Sequence, residues 1–154
     1  MGMYLEDFVA GSEFTTGEVT VSAEEIIAFA TQFDPQPFHL DAEAAKSTFF
    51  GGLAASGWHT AALTMRLLVT GGPEITGGSI GAGVELKWPT ATRPGDRLHL
   101  KITCESVTPS RSRNDRGIVV LRVETLNQDA ELRQLSIVYT LAFRREPARD
   151  ADAV

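Results

Sequence analysis

The segment WHTAALTMRLLV, residues 58–69, carries apolar side chains on nearly every face of a helix. A helix that is apolar all round is typical of one buried inside a protein. Gly71, Gly72 and Pro73 follow this segment and predict the end of the helix. We therefore expect a long buried helix around which the other elements are arranged.

Four segments after this helix alternate apolar and polar residues with the period of two that strands have: 80–88, 97–107, 117–126 and 132–143. Turn-forming residues separate them. Residues 13–20 alternate enough to predict one more strand ahead of the helix. The predicted fold is α+β, with an antiparallel sheet wrapped around one central helix. Such a sheet leaves edge strands, so pairing with a second copy is expected.

Two shorter helices are predicted between the first strand and the central helix. Ser22 and Glu25 match a capping box, and apolar residues then recur with helical spacing up to residue 33. Pro35 disfavours a helical conformation for the residue before it, which predicts the end of this first helix. Asp41 precedes AEAAK and can cap the second helix.

The chain has 154 residues, of which 43% are hydrophobic and 22% are charged. These values predict one globular domain at residues 1–146, followed by a polar, flexible tail at residues 147–154. The formal net charge of −6 argues against nucleic acid as the main partner. The amino terminus does not have the regions of a signal peptide, and no apolar run approaches ~18 residues. A cytoplasmic protein with no membrane partner is the expectation.

Cys104 is the one cysteine of the sequence, so no internal disulfide can form. Its place in an alternating strand favours a buried, inert thiol over a nucleophile or a metal ligand. No Cys/His cluster has the spacing of a zinc site, and no glycine-rich loop has the pattern of a phosphate-binding loop. We therefore expect no metal site.

The stretch FDPQPFHLD, residues 33–41, contains the residue types needed for acid/base chemistry. Two prolines make it a stiff, extended loop that holds Asp34 and His39. Rigid placement of a carboxylate and an imidazole is what positioned proton transfer requires. Alternatively, Asp34 caps a turn and His39 is a satisfied, partly buried histidine. The residues alone leave both interpretations open.

Gly57 lies in the stretch GGLAASGWH, residues 51–59, at the first turn of the predicted central helix. Free N–H groups and the positive end of the helix dipole suit an oxyanion at such a position. The alternative is that Gly57 merely permits close packing. An acid/base pair in the same chain favours the functional interpretation.

These residues together resemble the MaoC-like dehydratase family, which includes the (R)-specific enoyl-CoA hydratases. Its members carry an Asp, two spacer residues, a Pro, an apolar residue and a His before the central helix. Asp34, Pro37, Phe38 and His39 match that order and spacing, and Gly57 follows His39 by 18 positions, where the family has its helix-starting glycine. The resemblance extends from about residue 8 to about residue 144.

Two positions depart from the family pattern. Gln36 stands where the family often has Asn, and Ser56 stands where His or Gln commonly precedes the glycine. Neither position carries the proton transfers in the family. The resemblance therefore implies the reaction class and leaves the acyl preference open.

The resemblance implies a hot-dog fold and an enzyme that interconverts 2-enoyl and (R)-3-hydroxyacyl thioesters. Asp34 and His39 would together hold the water that adds to the β-carbon. The N–H of Gly57 would stabilise the thioester oxygen. Coenzyme A would enter as part of an acyl-CoA substrate, with no further cofactor. A homodimer or a higher homo-oligomer is the expected assembly.

Five further residues are candidates for substrate binding. Phe38, Ser56 and Trp58 are expected around an acyl pocket, although aromatic residues at such positions are more often core. Arg111 and Arg113 could bind the phosphates of coenzyme A, because guanidinium groups match phosphate oxygens well; a solvated basic turn is the alternative. His59 is interpreted as a packing or interface histidine.

Two competing functions remain open at this point. Hot-dog thioesterases usually rely on a carboxylate on or near the central helix, and residues 58–69 contain neither Asp nor Glu. A non-catalytic acyl-binding subunit is the other alternative. The presence of both Asp34 and His39 disfavours it.

Overall fold

A computed structural model describes residues 1–146 and contains four helices and six strands. Their order along the chain is β1 Glu13–Thr15, β2 Val19–Thr20, α1 Ala23–Phe33, α2 Pro37–Leu40, α3 Ala42–Ala45, α4 Gly57–Gly71, β3 Ile80–Lys87, β4 Arg97–Pro109, β5 Arg116–Leu126 and β6 Leu132–Phe143. A short 3-10 turn, Leu5–Asp7, precedes them. The tail predicted to be flexible, residues 147–154, lies outside the described part of the chain.

The strands form one antiparallel sheet in the order β1-β4-β5-β6-β3, and β2 pairs with β4. Helix α4 packs on this sheet, where the hydroxyl groups of Thr64 and Thr125 lie 2.7 Å apart. A sheet that wraps one long central helix is the hot-dog arrangement. The predicted α+β fold is therefore confirmed.

Alternation along β4 and β5 builds the core. The side chains that face α4 are completely buried: Leu98, Leu100, Ile102, Cys104, Val119, Leu121 and Val123. Strands bury every second residue because successive side chains point to opposite faces of the sheet. Cys104 is buried as predicted, and this burial, followed by the charge of Glu105, raises the pKa of its thiol.

Helix α4 begins and ends close to where the sequence predicts, but it is not buried on all sides. Trp58, Met65 and Val69 are 60%, 45% and 56% exposed. The sheet covers only the side that carries residues such as Thr64 and Leu67. The prediction of an all-round buried helix was therefore wrong, because apolar character does not tell which element covers a given face.

The elements before α4 agree with the capping signals. The Ser22 hydroxyl accepts from the Glu25 N–H, and Glu25 accepts from the Ser22 N–H, which begins α1. Asp41 caps α3 through two backbone N–H groups. The strand predicted at residues 13–20 is instead two short strands separated at residues 16–18.

The stretch predicted as an extended loop is partly helical. Pro37 opens the short helix α2, which carries His39. Proline suits the first position of a helix, because it has no N–H to leave unsatisfied and its φ is already helical. None of the helices within residues 1–146 is both long and apolar enough to cross a bilayer.

Candidate active site

Asp34 and His39 face each other across the turn between α1 and α2. Asp34 caps the carboxyl end of α1, and His39 lies in α2. The Nε2 atom of His39 is 3.3 Å from Oδ2 of Asp34. His39 is only 5% exposed, so the pair sits at the edge of the interior.

A backbone carbonyl fixes the orientation of His39. Its Nδ1 atom lies 2.6 Å from the carbonyl oxygen of Ala54. A carbonyl oxygen can only accept, so Nδ1 carries a proton and donates it in this bond. In the neutral ring Nε2 is then the unprotonated nitrogen, and it points towards Asp34. The imidazole is thus placed to take up a proton at Nε2.

Two side chains hold the carboxylate of Asp34. The hydroxyl of Ser56 donates to Oδ2 at 2.6 Å, and the amide of Gln36 donates to Oδ1 at 2.6 Å. Burial alone would raise the pKa of Asp34. The hydrogen bonds from Ser56 and Gln36 and the charge of His39 outweigh burial, and the pKa lies below its ordinary value. Asp34 therefore stays an anion at neutral pH.

One buried segment anchors both members of the pair. We name residues 53–56 the template segment; each is 6% exposed or less. Its Ala54 carbonyl binds His39, and its Ser56 hydroxyl binds Asp34. Its own amides are held in turn, since Ala54 N donates to Phe38 O and Ala55 N donates to Thr92 O.

The side chain of Arg93 binds the backbone at and just before the start of the template segment. Its guanidinium donates to the carbonyl oxygens of Phe50, Gly52 and Leu53 at 2.5, 3.0 and 3.3 Å. Sequence reasoning did not single out Arg93, Ala54 or Thr92. Their contacts use backbone atoms of residues far away in sequence, which no residue pattern reveals.

Gly57 follows the template segment and begins α4. Within residues 1–146 its N–H donates to no hydrogen bond, as is usual for the first amides of a helix. Gly57 and His39 line one cavity of about 300 Å³. Gly57 and the imidazole therefore share one cavity, and the Asp34 carboxylate, which does not line that cavity, lies 3.3 Å from Nε2 of the same imidazole.

Close packing also requires a glycine at this position. A Cβ atom on Gly57 would lie 2.7 Å from ring atoms of Trp88, closer than real contacts allow. Both interpretations of Gly57 that the sequence leaves open thus have a structural basis. A free amide and a tight aromatic contact occur at the same residue.

The predicted substrate-binding residues around the helix start have different surroundings. Ser56 is completely buried, and its hydroxyl is taken by Asp34 and by the Trp58 N–H. It therefore holds Asp34 rather than lining the cavity, which corrects the prediction. Phe38 packs edge-on against His39 and tilted against Phe50. Trp58 lines a separate apolar groove of about 360 Å³.

Arg111 and Arg113 are exposed in the turn between β4 and β5. The candidate active site lies near the other end of this hairpin. Strand β4 has 13 residues, so the separation along it is roughly 40 Å. One copy of the chain does not bring these arginines to Asp34 and His39, and their binding of coenzyme A phosphates remains a prediction.

His59 is a packing residue, in agreement with the sequence. Its ring stacks on Phe29 of α1 at a centroid distance of 4.7 Å, and it is 6% exposed. Burial lowers the pKa of His59, against an opposing effect of Glu25. The ring packs α4 against the helix that ends at Asp34.

Residues 7–126 match the family model described as MaoC like domain. The chain belongs to the MaoC-like family. This MaoC-like chain is 35% identical to "Uncharacterized protein YdeM" of Bacillus subtilis (strain 168) over 129 residues, which are 82% of the chain and 89% of that protein.

Two solved structures extend the comparison. The MaoC-like dehydratase from Rhodospirillum rubrum shares 56% identity with a TM-score of 0.92, over 94% of the MaoC-like chain and 99% of the other. The R-hydratase PhaJ1 from Pseudomonas aeruginosa shares 21% identity with a TM-score of 0.70, over 99% of the MaoC-like chain and 96% of the hydratase chain. At that identity the second likeness concerns the fold.

Proposed function

We propose that the chain catalyses the reversible addition of water to 2-enoyl thioesters of coenzyme A, giving (R)-3-hydroxyacyl thioesters. The observation that carries the proposal is the 3.3 Å approach of His39 Nε2 to Asp34 Oδ2, beside the open amide of Gly57. Membership of the MaoC-like family and the likeness to a dehydratase and an R-hydratase support it. The R configuration rests on that likeness.

The geometry suggests a division of labour between the two side chains. A water held between them gives one proton to His39 Nε2 while its oxygen bonds to the β-carbon. Asp34 accepts the second hydrogen bond of this water and stabilises the imidazolium that forms. His39 then returns its proton to the α-carbon on the same face.

The amide of Gly57 would act on the other end of the reacting group. Negative charge develops on the thioester oxygen as water adds, and a fixed N–H stabilises that charge more than it stabilises the neutral carbonyl. Losing one such donor costs about 3–4 kcal/mol of transition-state stabilisation in other enzymes. Dehydration follows the same steps in reverse.

A direct test mixes the purified protein with crotonyl-CoA and follows the enoyl absorbance together with free thiol. Loss of absorbance without thiol release is the expected result. Thiol release would indicate a thioesterase instead, and no change would leave an acyl-binding role or a different acyl chain. The single cysteine does not disturb a thiol reagent, because it is buried.

Coenzyme A is proposed to enter only as part of the substrate, with no separate cofactor. The proton transfers above need only Asp34, His39 and water. A coenzyme A thioester substrate is an intracellular metabolite. A cytoplasmic location therefore belongs to the same proposal.

We also propose that two copies form a homodimer through β3 and α4. Among the described residues β3 pairs only with β6, which leaves its other edge open. Exposed edges of this kind invite a further strand. Val84 on β3 is 55% exposed, and Trp58, Met65 and Val69 expose an apolar side of α4 nearby. A second copy that covers both would bury them together.

A further inference from the structure

Two cavities lie on either side of the start of α4. The catalytic cavity has a volume of about 300 Å³, and its lining includes His39, Gly57 and Trp88. The apolar groove has a volume of about 360 Å³ and lies between α4 and strands β3 and β6. They share no lining residue, although Gly57 of the first and Trp58 of the second are neighbours in sequence.

The ring of Trp88 stands at the boundary between these two spaces. One side lies against Gly57, as the 2.7 Å approach to a Cβ built there indicates. Its Nε1 atom donates to Oε1 of Gln134 at 2.8 Å, and Gln134 lines the groove. The ring also meets Trp58 edge-on at 5.3 Å.

Three contacts of different kinds thus hold one aromatic ring in place. Gln134 is 1% exposed, and its amide nitrogen donates to Ser136, so its carbonyl oxygen is fixed towards Trp88. Rotation of the indole would break the bond to Gln134 and leave a buried acceptor unpaired, which is costly. Trp88 is 40% exposed, yet these three contacts hold its ring as a wall between the two spaces.

We infer that Trp88 is a specificity-determining residue that limits the length of the acyl chain. This inference rests on the proposed function, in which the acyl group reacts in the catalytic cavity with its thioester oxygen near Gly57. An acyl chain that extends past the β-carbon then meets the indole ring. Short chains fit in front of this wall, and longer chains would need the space behind it.

The apolar groove offers that space when the wall is removed. Its exposed lining residues Trp58, Met65 and Val84 belong to the face that the proposed dimer covers. Its floor belongs to this chain and includes Leu68, Val123 and Val138, which match a hydrocarbon tail in chemistry. With alanine at position 88, the cavity and the groove would join above Gln134. A longer acyl chain could then bury its end against these side chains.

The experiment compares wild type, Trp88→Ala and Trp88→Phe with crotonyl-CoA and trans-octenoyl-CoA. We expect the ratio of kcat/KM for the longer over the shorter substrate to rise about tenfold or more in Trp88→Ala, as differences in pocket size commonly give. Trp88→Phe should lie between, since it keeps a ring against Gly57 and loses the bond to Gln134. Phe49→Ala is the matched control, because it removes an aromatic ring from the same cavity and leaves Trp88 in place.

An unchanged ratio in Trp88→Ala, measured on protein with a cooperative unfolding transition, would overturn the inference. So would an equal rise in Phe49→Ala, because the effect would then not depend on the wall. A wild type that hydrates neither substrate would instead contradict the proposed function. Binding of saturated butyryl-CoA and octanoyl-CoA, measured by calorimetry, then tests the wall by itself: the longer chain should gain affinity only in Trp88→Ala, and no gain would overturn the inference.

Discussion

The hydroxyl group of Ser56 serves two partners, because it donates to Asp34 and accepts from the N–H of Trp58. The first bond helps to keep a largely buried carboxylate ionised, and the second caps α4. One small side chain thereby links the charge state of the acid/base pair to the start of the central helix. In the proposed reaction Ser56 is a positioning residue, since it would act only through Asp34.

Replacing Ser56 with Ala should move the acid limb of the pH profile. Burial raises the pKa of Asp34, and the Ser56 bond is the first of the effects that oppose it. Without this bond the pKa rises, so Asp34 becomes protonated at a higher pH and activity is lost earlier as the pH falls. The measurement is kcat/KM against pH for wild type and Ser56→Ala.

A second capping serine provides the control for this substitution. Ser22→Ala removes the cap of α1 and should cost about 1 kcal/mol of stability, as the loss of the Ser56 cap does. It leaves the bonds of Asp34 in place. An acid limb that moves equally in both variants would mean that destabilisation, and not the carboxylate, causes the shift.

Replacing Asp34 with Asn tests the acid/base pair itself. Asparagine has nearly the same shape and can still accept from Ser56, but it carries no charge to hold the water or the imidazolium. We expect kcat/KM to fall by about 10²–10⁴-fold while the melting temperature stays close to that of wild type. Activity at the wild-type level in a folded Asp34→Asn protein would contradict the mechanism.

The sequence predicted Asp34, His39 and Gly57 because their relation is local. Four residues separate the first two along the chain, and a glycine at a helix start has a recognisable context. Contacts from Ala54 to His39 and from Ser56 to Asp34 span 15 and 22 residues. Only the folded backbone brings these together, so the roles of Ala54 and Ser56 could not be predicted.

At the scale of elements, alternation predicted β4 and β5 well because it records directly which face of a strand is buried, whereas β3 forms where predicted although nearly all of its residues are exposed. The same logic fails for α4. Leu67 faces the sheet and Met65 faces outward, yet both are apolar. Sequence periodicity cannot distinguish a face covered by the same chain from a face available to another copy.

The open edge of β3 leads to a prediction about assembly. Val84→Lys places a charge in the middle of the proposed dimer contact, where it would have to be desolvated against apolar side chains. We expect wild type to have the mass of a dimer by light scattering after gel filtration, and Val84→Lys to have that of a monomer. Val9→Lys is the control, since Val9 is 64% exposed and lies outside β3 and α4. A wild-type monomer, or an unaffected Val84→Lys dimer, would contradict this assembly.

At the scale of the whole molecule, a buried ion pair joins the loop before β4 to β6. Asp96 is 4% exposed and accepts from Arg133 Nε at 2.8 Å, from Arg93 N at 2.9 Å and from Asn127 Nδ2 at 3.2 Å. Burial would raise the pKa of Asp96, but these bonds and the charge of Arg133 outweigh it and lower the pKa. The pair therefore stabilises the fold only while Asp96 is ionised.

Asp96→Asn should destabilise the protein by about 3 kcal/mol at neutral pH, because it leaves a buried guanidinium without its main partner. The folded pKa lies below the ordinary value of 3.8. The stability difference between wild type and Asp96→Asn is therefore full above pH 3.8, and it shrinks as the pH falls through the pKa of folded Asp96. Urea unfolding of wild type and variant across this range measures it.

Asp129→Asn is the control for this prediction, because Asp129 is exposed in the β5–β6 turn and makes no side-chain ion pair in residues 1–146. It should unfold like wild type at every pH. A difference between wild type and Asp96→Asn that persisted undiminished in strong acid would show that ionisation of Asp96 is not its source.

The template segment has a consequence for how the protein would lose its proposed activity on heating. Its carbonyl and hydroxyl anchors are two residues apart in one buried strip of backbone, so the arrangement of Asp34 and His39 depends on that strip staying in the interior. We expect warming to disrupt this arrangement when the strip leaves the interior, which amounts to unfolding the domain. Catalytic lifetime and cooperative unfolding should thus share one temperature dependence, with no inactive yet still folded state between them.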